Sequence, residues 1–328
     1  MSDINPDKIT LAVPGGLAGQ IFAVCYGAWL GENRGVETHL QFHDIGTEIS
    51  GFALGSLLDT QAAKDLGISY SRVSGNLNWS SGSSSRAVDL VRQKVGGTKA
   101  WGLGKVLVGA LRGEGKSNGR RFSTKRKTGS ISLETLDAVA PGTKLVGYPA
   151  DYRVIEDAWS LLPELIEQSG LPNFSRETGV EDSVAVHWRL GDYFNNRTHG
   201  SITWETLERS IRHAVRADVP IKIFTDSPDL AMELVNEFNG RRDIEYVSSD
   251  IWSDLYAMTR SQTFIGSHSG VSFLAALALR MDSKTSRTWL PQRWFLDEWL
   301  DKKFVRTPIT FGESLIYEVE FNEEKKIL

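Results

Sequence analysis

Three side chains capable of chemistry fall close together in the segment VHWRLGDY, at His187, Arg189 and Asp192. They follow the apolar run 183–186, which predicts a buried strand, and Gly191 lets the backbone turn after it. Such groups lie at the carboxyl edge of a sheet, where open α/β sheets bind ligands. A guanidinium there suits a phosphate or carboxylate, which it grips with two parallel hydrogen bonds. The alternative interpretation is that Arg189 and Asp192 simply pair with each other.

Two further predicted strand ends carry polar groups suited to a nucleotide. Asp226 follows the predicted strand 221–225, and it is either an acceptor for a base such as guanine or a turn-forming residue before proline. The segment 267–272 opens an apolar helix, where hydroxyls and free amides suit phosphate oxygens or merely cap the helix. The polar side chains of this segment are Ser267, His268, Ser269 and Ser272.

A glycine-rich turn follows the first predicted strand, residues 9–13. It contains Gly15, Gly16 and Gln20 and leads into an apolar helix from residue 21 to about residue 33. Such a turn lets a ligand approach the amino end of the helix, or it only allows close helix packing. It lacks the Gly-Lys-Ser/Thr ending of a Walker loop and is not a full dinucleotide fingerprint, so ATP and NAD are unsupported.

The second half of the chain alternates regularly between strands and helices. Repeated βα units of this kind predict a parallel, doubly wound sheet whose strand ends after Trp188, Thr225 and Gly266 converge on one crevice. The predicted strands are 184–188, 221–225, 244–247, 263–266 and 288–291, and the predicted helices are 204–216, 230–238, 253–259 and 270–279. One more strand is predicted at 37–43 in the first half.

Length and composition predict an ordinary globular protein of two domains. The chain has 328 residues, more than a single core usually supports. Hydrophobic residues at 41% and charged residues at 24% show no signature of disorder, and a net charge of −4 favours no particular class of partner. We expect residues 1–178 to form an acceptor-side domain and residues 179–328 to bind the donor, with 165–180 as the linker.

Segments 74–86 and 112–130 lack hydrophobic periodicity and are predicted to be long loops. The second is basic, and its first interpretation is a solvated, mobile loop. Contact with an anionic membrane or a diphosphate-linked acceptor is the second, and nucleic acid is the third. Because no nucleic-acid-binding motif is present, we expect no nucleic-acid partner. The basic residues of the loop are Arg112, Lys116, Arg120, Arg121, Lys125, Arg126 and Lys127.

The remaining sequence signals concern redox state, location and metals. Cys25 is the only cysteine and sits in an apolar helical stretch, so it is predicted to be a core thiol and no internal disulfide forms. The amino terminus has no signal-peptide pattern and the chain has no apolar run of about 18 residues, which predicts a cytoplasmic protein, in membrane contact only peripherally. No Asp-x-Asp pair occurs, so neither a metal clamp nor a cofactor is expected.

Five segments, taken in order, resemble the α-1,2-fucosyltransferase family and the wider superfamily of GDP-fucose transferases. The resemblance implies an α/β protein of the GT-B-like fold, with two Rossmann-like doubly wound domains facing a cleft. The HxRxGDY segment is the most specific of the five. The segments are GGLAGQIF at 15–22, HWRLGDY at 187–193, FTD at 224–226, the stretch from Asp254 through FIGS at 264–267 to AAL at 275–277, and PQRWF at 291–295.

The resemblance implies an inverting glycosyltransferase that moves fucose from GDP-fucose to a hydroxyl of a glycan or lipid-linked glycan. Arg189 is then expected to hold the β-phosphate, and His187 and Asp226 to line the guanosine site. Serines 267, 269 and 272 are expected to cradle the pyrophosphate, with His268 and the glycine turn beside the donor. Candidates for the base that deprotonates the acceptor are Asp192, His43 and Asp44. The alternatives are an inverting transferase for another nucleotide sugar, such as GDP-mannose or a dTDP-sugar, and a non-catalytic glycan- or nucleotide-binding relative.

Overall fold

A computed structural model describes most of the two predicted halves of the chain. Several predicted features lie outside the described residues, namely Gly15, Asp44, the two predicted loops and the predicted boundary at 178/179. The side chain of His43 also lies outside them. The described residues are 7–13, 16–43, 56–73, 131–149, 151–174, 181–194, 200–214, 219–237, 244–282, 287–292 and 315–317.

The first sheet contains four parallel strands in the order β3-β2-β1-β4. These strands are β1 Ile9–Val13, β2 Thr38–His43, β3 Ile68–Val73 and β4 Lys144–Val146. The helices of this half are α1 Leu17–Arg34, α2 Gln61–Asp65, α3 Leu133–Ala138, α4 Tyr152–Ala158 and α5 Leu162–Ser169, with a 3-10 turn at Trp159–Leu161 before α5.

The second sheet contains six parallel strands in the order β10-β9-β8-β5-β6-β7. The strands are β5 Glu181–Trp188, β6 Ile221–Thr225, β7 Ile244–Val247, β8 Ser261–Gly266, β9 Arg287–Pro291 and β10 Leu315–Tyr317. The helices between them are α6 Gly191–Phe194, α7 Trp204–Ala214, α8 Pro228–Glu237, α9 Ile251–Met258 and α10 Gly270–Asp282.

Both sheets have the strand order of a Rossmann-like unit. In each sheet the first three strands run outward in one direction, and the next strand returns to the other side of the first. The order therefore reverses between β1 and β4 in one sheet and between β5 and β8 in the other. The predicted fold class, an α/β protein with two doubly wound parallel sheets, is confirmed.

Helix α1 connects the two halves of the molecule. Every residue from Leu17 to Leu30 is buried, because the helix packs on its own sheet and also against α4 and α10. Phe22 meets Phe273 of α10 edge to face, with ring centroids 5.4 Å apart. Cys25 is fully buried within α1, and burial raises the pKa of its thiol to about 12. It is a core residue, as its neighbours predict.

Two boundaries predicted from the sequence are wrong. Residues 165–169 belong to α5 and not to a linker, because Leu165 and Ile166 are buried against the first core and the helix continues to Gly170, whose φ is +73°. Helix α1 begins at Leu17 and not at residue 21, so Gln20 lies in its first turn. Packing on both sides of α1 stabilises a helical turn there in spite of Gly19. Within the described residues, no helix has both the length and the hydropathy to cross a bilayer.

Candidate functional site

The three predicted polar strand ends lie side by side. Strand β5 pairs with β6 on one side and with β8 on the other, so the residues that follow these three strands meet at one edge. Arg189 follows β5, Asp226 follows β6, and Ser267 follows β8. This edge includes the reversal of strand order between β5 and β8, where doubly wound sheets bind ligands.

The guanidinium of Arg189 is held by two carboxylates. Its Nε lies 2.9 Å from Asp192 Oδ1, and its Nη1 lies 3.0 Å from Asp226 Oδ2. The ion pair with Asp192, which the sequence leaves open as an alternative, is therefore present. The Nη2 group makes no hydrogen bond or ion pair with any residue that the structure describes, and 34% of the side chain is exposed. The guanidinium is thus oriented and still has an open donor face.

Asp226 also fixes the loop that carries Arg189. Its Oδ1 accepts hydrogen bonds from the amides of Leu190 and Gly191, each at 3.0 Å. A side chain on Gly191 would clash with this carboxylate, since a Cβ there would lie 2.9 Å from Asp226 Cγ. The glycine is therefore needed for close approach. The predicted role of Asp226 at a guanosine base stays a prediction, and the loop contacts are a role that the sequence did not indicate.

The serine-rich segment before α10 is bonded to the end of β5. The amide of Ser267 donates to the carbonyl of His187 at 2.9 Å, and the amide of Arg189 donates to Ser267 Oγ at 3.1 Å. Ser272 Oγ lies 2.6 Å from His187 Nδ1, and Ser269 Oγ lies 3.4 Å from the same atom. These contacts hold the amino end of α10 beside the backbone of Arg189.

Both histidines of the site are buried. His187 is 5% exposed, and burial lowers the pKa of its imidazole to about 3, with smaller contributions in the same direction from Arg189 and His268. The ring is therefore neutral at physiological pH. His268 Nε2 lies 2.8 Å from the carbonyl oxygen of Gly200, and its ring packs on Tyr193, with centroids 5.1 Å apart. Both side chains are buried and bond to other residues of the site. That they contact the donor stays a prediction.

The glycine turn of the first sheet lies next to the amino end of α10. Gly16 precedes α1 and is exposed, whereas Gln20 is buried in the first turn of the helix. A Cβ on Gly270, the first residue of α10, would lie 2.9 Å from Ala18 Cβ and 3.2 Å from the hydroxyl of Tyr148. The amino ends of α1 and α10 therefore meet, and with them the two points at which strand order reverses.

Two tyrosines belong to this region that the sequence did not single out. Tyr193 ends the HxRxGDY segment, and its ring lies 5.7 Å from the Arg189 Cζ atom. Tyr148 follows β4 and has no motif around it. Only the contact between the two halves brings Tyr148 to Gly270, so no local pattern could have identified it.

Of the three candidate bases, Asp192 and the backbone of His43 lie among the described residues. Asp192 is 61% exposed and paired with Arg189. His43 ends β2, at the carboxyl edge of the first sheet. Among the described residues, no group of three or more histidine, cysteine, aspartate or glutamate side chains is arranged to hold a metal ion.

Comparisons with known proteins find similarity in structure only. The sequence matches no family model and no curated protein. E. coli heptosyltransferase WaaC with ADP aligns with a TM-score of 0.43 and 10% identity, over 95% of this chain and 93% of that one. A family 9 glycosyl transferase from Veillonella parvula gives 0.39 and 11%, over 98% and 90%. NodZ α-1,6-fucosyltransferase soaked with GDP-fucose gives 0.40 and 13%, over 84% and 93%.

The assignment to the α-1,2-fucosyltransferase family is wrong. No family model matches, and the similar solved structures are mainly heptosyltransferases. The geometry explains why the HxRxGDY segment misleads. His187 contacts Ser272, Gly191 makes room for Asp226, and Asp192 pairs with Arg189. Most residues of the motif therefore have a local structural role at the end of β5, which the motif alone does not distinguish from a family-specific one.

Proposed function

We propose that this chain is a glycosyltransferase that uses a nucleoside-diphosphate sugar, with the diphosphate bound between Arg189 and the amino end of α10. The observation that carries the proposal is the meeting of the two reversal points, where Gly270 lies against Ala18. Ligands of doubly wound sheets bind at such points. A donor held by the second sheet and an acceptor held by the first then share one crevice.

The chemistry of the second sheet's edge suits a diphosphate. The Nη2 group of Arg189 makes no hydrogen bond or ion pair with any described residue, and the amino end of α10 attracts an anion, although Ser269 Oγ already caps the amide of Ser272 at 3.3 Å. Two carboxylates beside one guanidinium repel a second anion. One carboxylate must therefore release Arg189 before a phosphate can bind it. Asp192 is the exposed partner, and an exposed pair is worth about 0–1 kcal/mol, so a phosphate oxygen can replace it.

In the reaction, the bond between the anomeric carbon and the β-phosphate oxygen breaks while the acceptor oxygen bonds to that carbon. Negative charge develops on the departing diphosphate, and Arg189 stabilises it together with the helix amides. The acceptor proton passes to a base, for which Asp192, once released from Arg189, is the candidate among the described residues. No step in this scheme requires a metal ion.

The finer identity of the substrates follows the sequence predictions. Guanine is the predicted base and fucose the predicted sugar, with inversion at the anomeric carbon and a glycan or lipid-linked glycan as acceptor. GDP-mannose, dTDP-sugars and ADP-heptose are the competing donors, the last because it is named for a similar solved structure. A non-catalytic binding protein is the alternative of another class, and measurable turnover excludes it.

Calorimetry with ADP, GDP, UDP and dTDP in EDTA tests the proposal. We expect one of these diphosphates, GDP by the sequence prediction, to bind without metal, and Arg189→Ala to weaken that binding. Arg260→Ala is the matched control, because Arg260 is also ion-paired and 32% exposed but lies before β8, at the opposite edge of the sheet. Absence of binding by all four diphosphates would contradict the proposal, and binding that needs Mg²⁺ would contradict its metal-free form.

A further inference from the structure

Tyr148 is placed where the first sheet meets the site of the second. It follows β4, the strand on the far side of the order reversal from β2. Its hydroxyl lies 3.2 Å from the position that a Cβ on Gly270 would occupy. Since Gly270 has no side chain, the phenol can approach the first turn of α10 closely.

The backbone of Tyr148 is fixed, whereas its hydroxyl is available. The amide of Ile131 donates to the Tyr148 carbonyl at 3.0 Å, which anchors the residue. Among the described residues, none forms a hydrogen bond with the phenol oxygen, although the residue is half-buried. Burial raises the pKa of the phenol to about 12, so it stays protonated at neutral pH and acts as a donor.

Tyr193 lies near both Tyr148 and the guanidinium of Arg189. Burial raises the pKa of the Tyr193 phenol, and Tyr148 is the next largest contribution in the same direction. Tyr193 in turn packs beside Arg189, 5.7 Å from ring centroid to Cζ. Tyr148 and Arg189 therefore approach one small region from opposite sheets.

We propose that Tyr148 is a donor-binding residue contributed by the first sheet, and that its phenol donates a hydrogen bond to the β-phosphate of the nucleotide sugar. The inference rests on the proposed function. The β-phosphate carries the sugar, which must face the acceptor, and the acceptor is assigned to the half of the chain that contains Tyr148. The phenol would thus contact the β-phosphate, whose bond to the sugar breaks in the reaction.

The experiment compares Tyr148→Phe with Tyr256→Phe by calorimetry. Tyr256 is a matched control, because its hydroxyl bonds with Arg260 at the opposite edge of the second sheet. The probes are ADP, GDP and UDP with the corresponding monophosphates AMP, GMP and UMP. A lost hydrogen bond to a charged group predicts diphosphate binding weaker by about 10- to 100-fold in Tyr148→Phe, with unchanged monophosphate affinity and melting temperature.

Each other outcome overturns a defined part of the account. Unchanged diphosphate affinity in Tyr148→Phe overturns the role of Tyr148 and leaves the proposed function standing. An equal loss for diphosphate and monophosphate, or a lowered melting temperature, assigns Tyr148 to packing instead. If the unaltered protein binds none of the diphosphates, the proposed function fails, and the inference fails with it.

Discussion

Arg189 and Asp226 form an ion pair across two neighbouring strand ends, with Nη1 and Oδ2 3.0 Å apart. The other oxygen of the same carboxylate accepts from two loop amides. Asp226 thereby fixes both the guanidinium and the backbone that carries it. Asp192, in contrast, touches Arg189 from an exposed position. The two carboxylates should therefore differ in what they do for stability and for ligand binding.

Asp226→Ala should destabilise the fold, and Asp192→Ala should not. Loss of Asp226 leaves two amides and Nη1 of the guanidinium without their acceptor. This should lower the free energy of unfolding by about 2 to 3 kcal/mol. Loss of an exposed ion pair costs about 1 kcal/mol or less. Urea unfolding of both variants measures the difference. Equal stabilities would show that the loop does not depend on Asp226.

Gly16→Ala separates the two interpretations of the glycine turn. Within the described part of the chain, no atom lies within 4 Å of the position that a Cβ on Gly16 would take, and Gly16 has a φ of −72° that alanine also adopts. We therefore expect an unchanged melting temperature. If the turn contacts the donor or the acceptor, Gly16→Ala should lower the affinity for that ligand or the transfer rate. Unaltered binding and transfer would mean that the turn serves only to start α1.

The buried imidazole of His187 should make folding stability depend on pH. Because its folded pKa is lowered from 6.5 to about 3, the unfolded chain binds more protons than the folded one between these values. Stability is fully present above pH 6.5 and falls as the pH is lowered, by at most about 1.4 kcal/mol per pH unit. Denaturant titrations at pH 7, 6 and 5 measure this slope.

The matched variants are His187→Gln and His213→Asn. The first removes the buried titrating group and should flatten the slope between pH 7 and 5. The second replaces a histidine exposed on α7 and serves as the surface control for substitution of a histidine. A slope that persists in His187→Gln would assign the pH dependence to another group.

The second sheet could be predicted from the sequence almost strand by strand. Each of its strands from β5 to β9 is a short run rich in β-branched and aromatic residues, and its ends are marked by polar or glycine-containing turns. In the first half, β3 has Ser69, Ser71 and Arg72 among its six residues, and β4 is only three residues long. β3 alternates apolar and polar residues only from Ile68 to Ser71, and β4 is too short to show a pattern.

The candidate site likewise contains residues that could be predicted from the sequence and residues that could not. Arg189, Asp226 and Ser267 could be brought together in advance, because the carboxyl ends of adjacent parallel strands meet at one edge. Tyr148 and the contact between Ala18 and Gly270 depend on how the two halves pack, which no local pattern encodes.

The most direct test of the central claim is the rate of nucleoside diphosphate release from the nucleotide sugar that the chain binds, measured in EDTA for the unaltered chain and three variants. We expect Arg189→Ala to release the diphosphate about 100- to 1000-fold more slowly than the unaltered chain, because one preorganised cationic donor is lost from the leaving group. Arg189→Lys should also be slow, since an ammonium lacks the planar fork that two carboxylates hold in place. Arg260→Ala should keep the full rate. Near-normal release by Arg189→Ala, with its melting temperature unchanged, would contradict the account and leave Arg189 as a strand-end ion pair only.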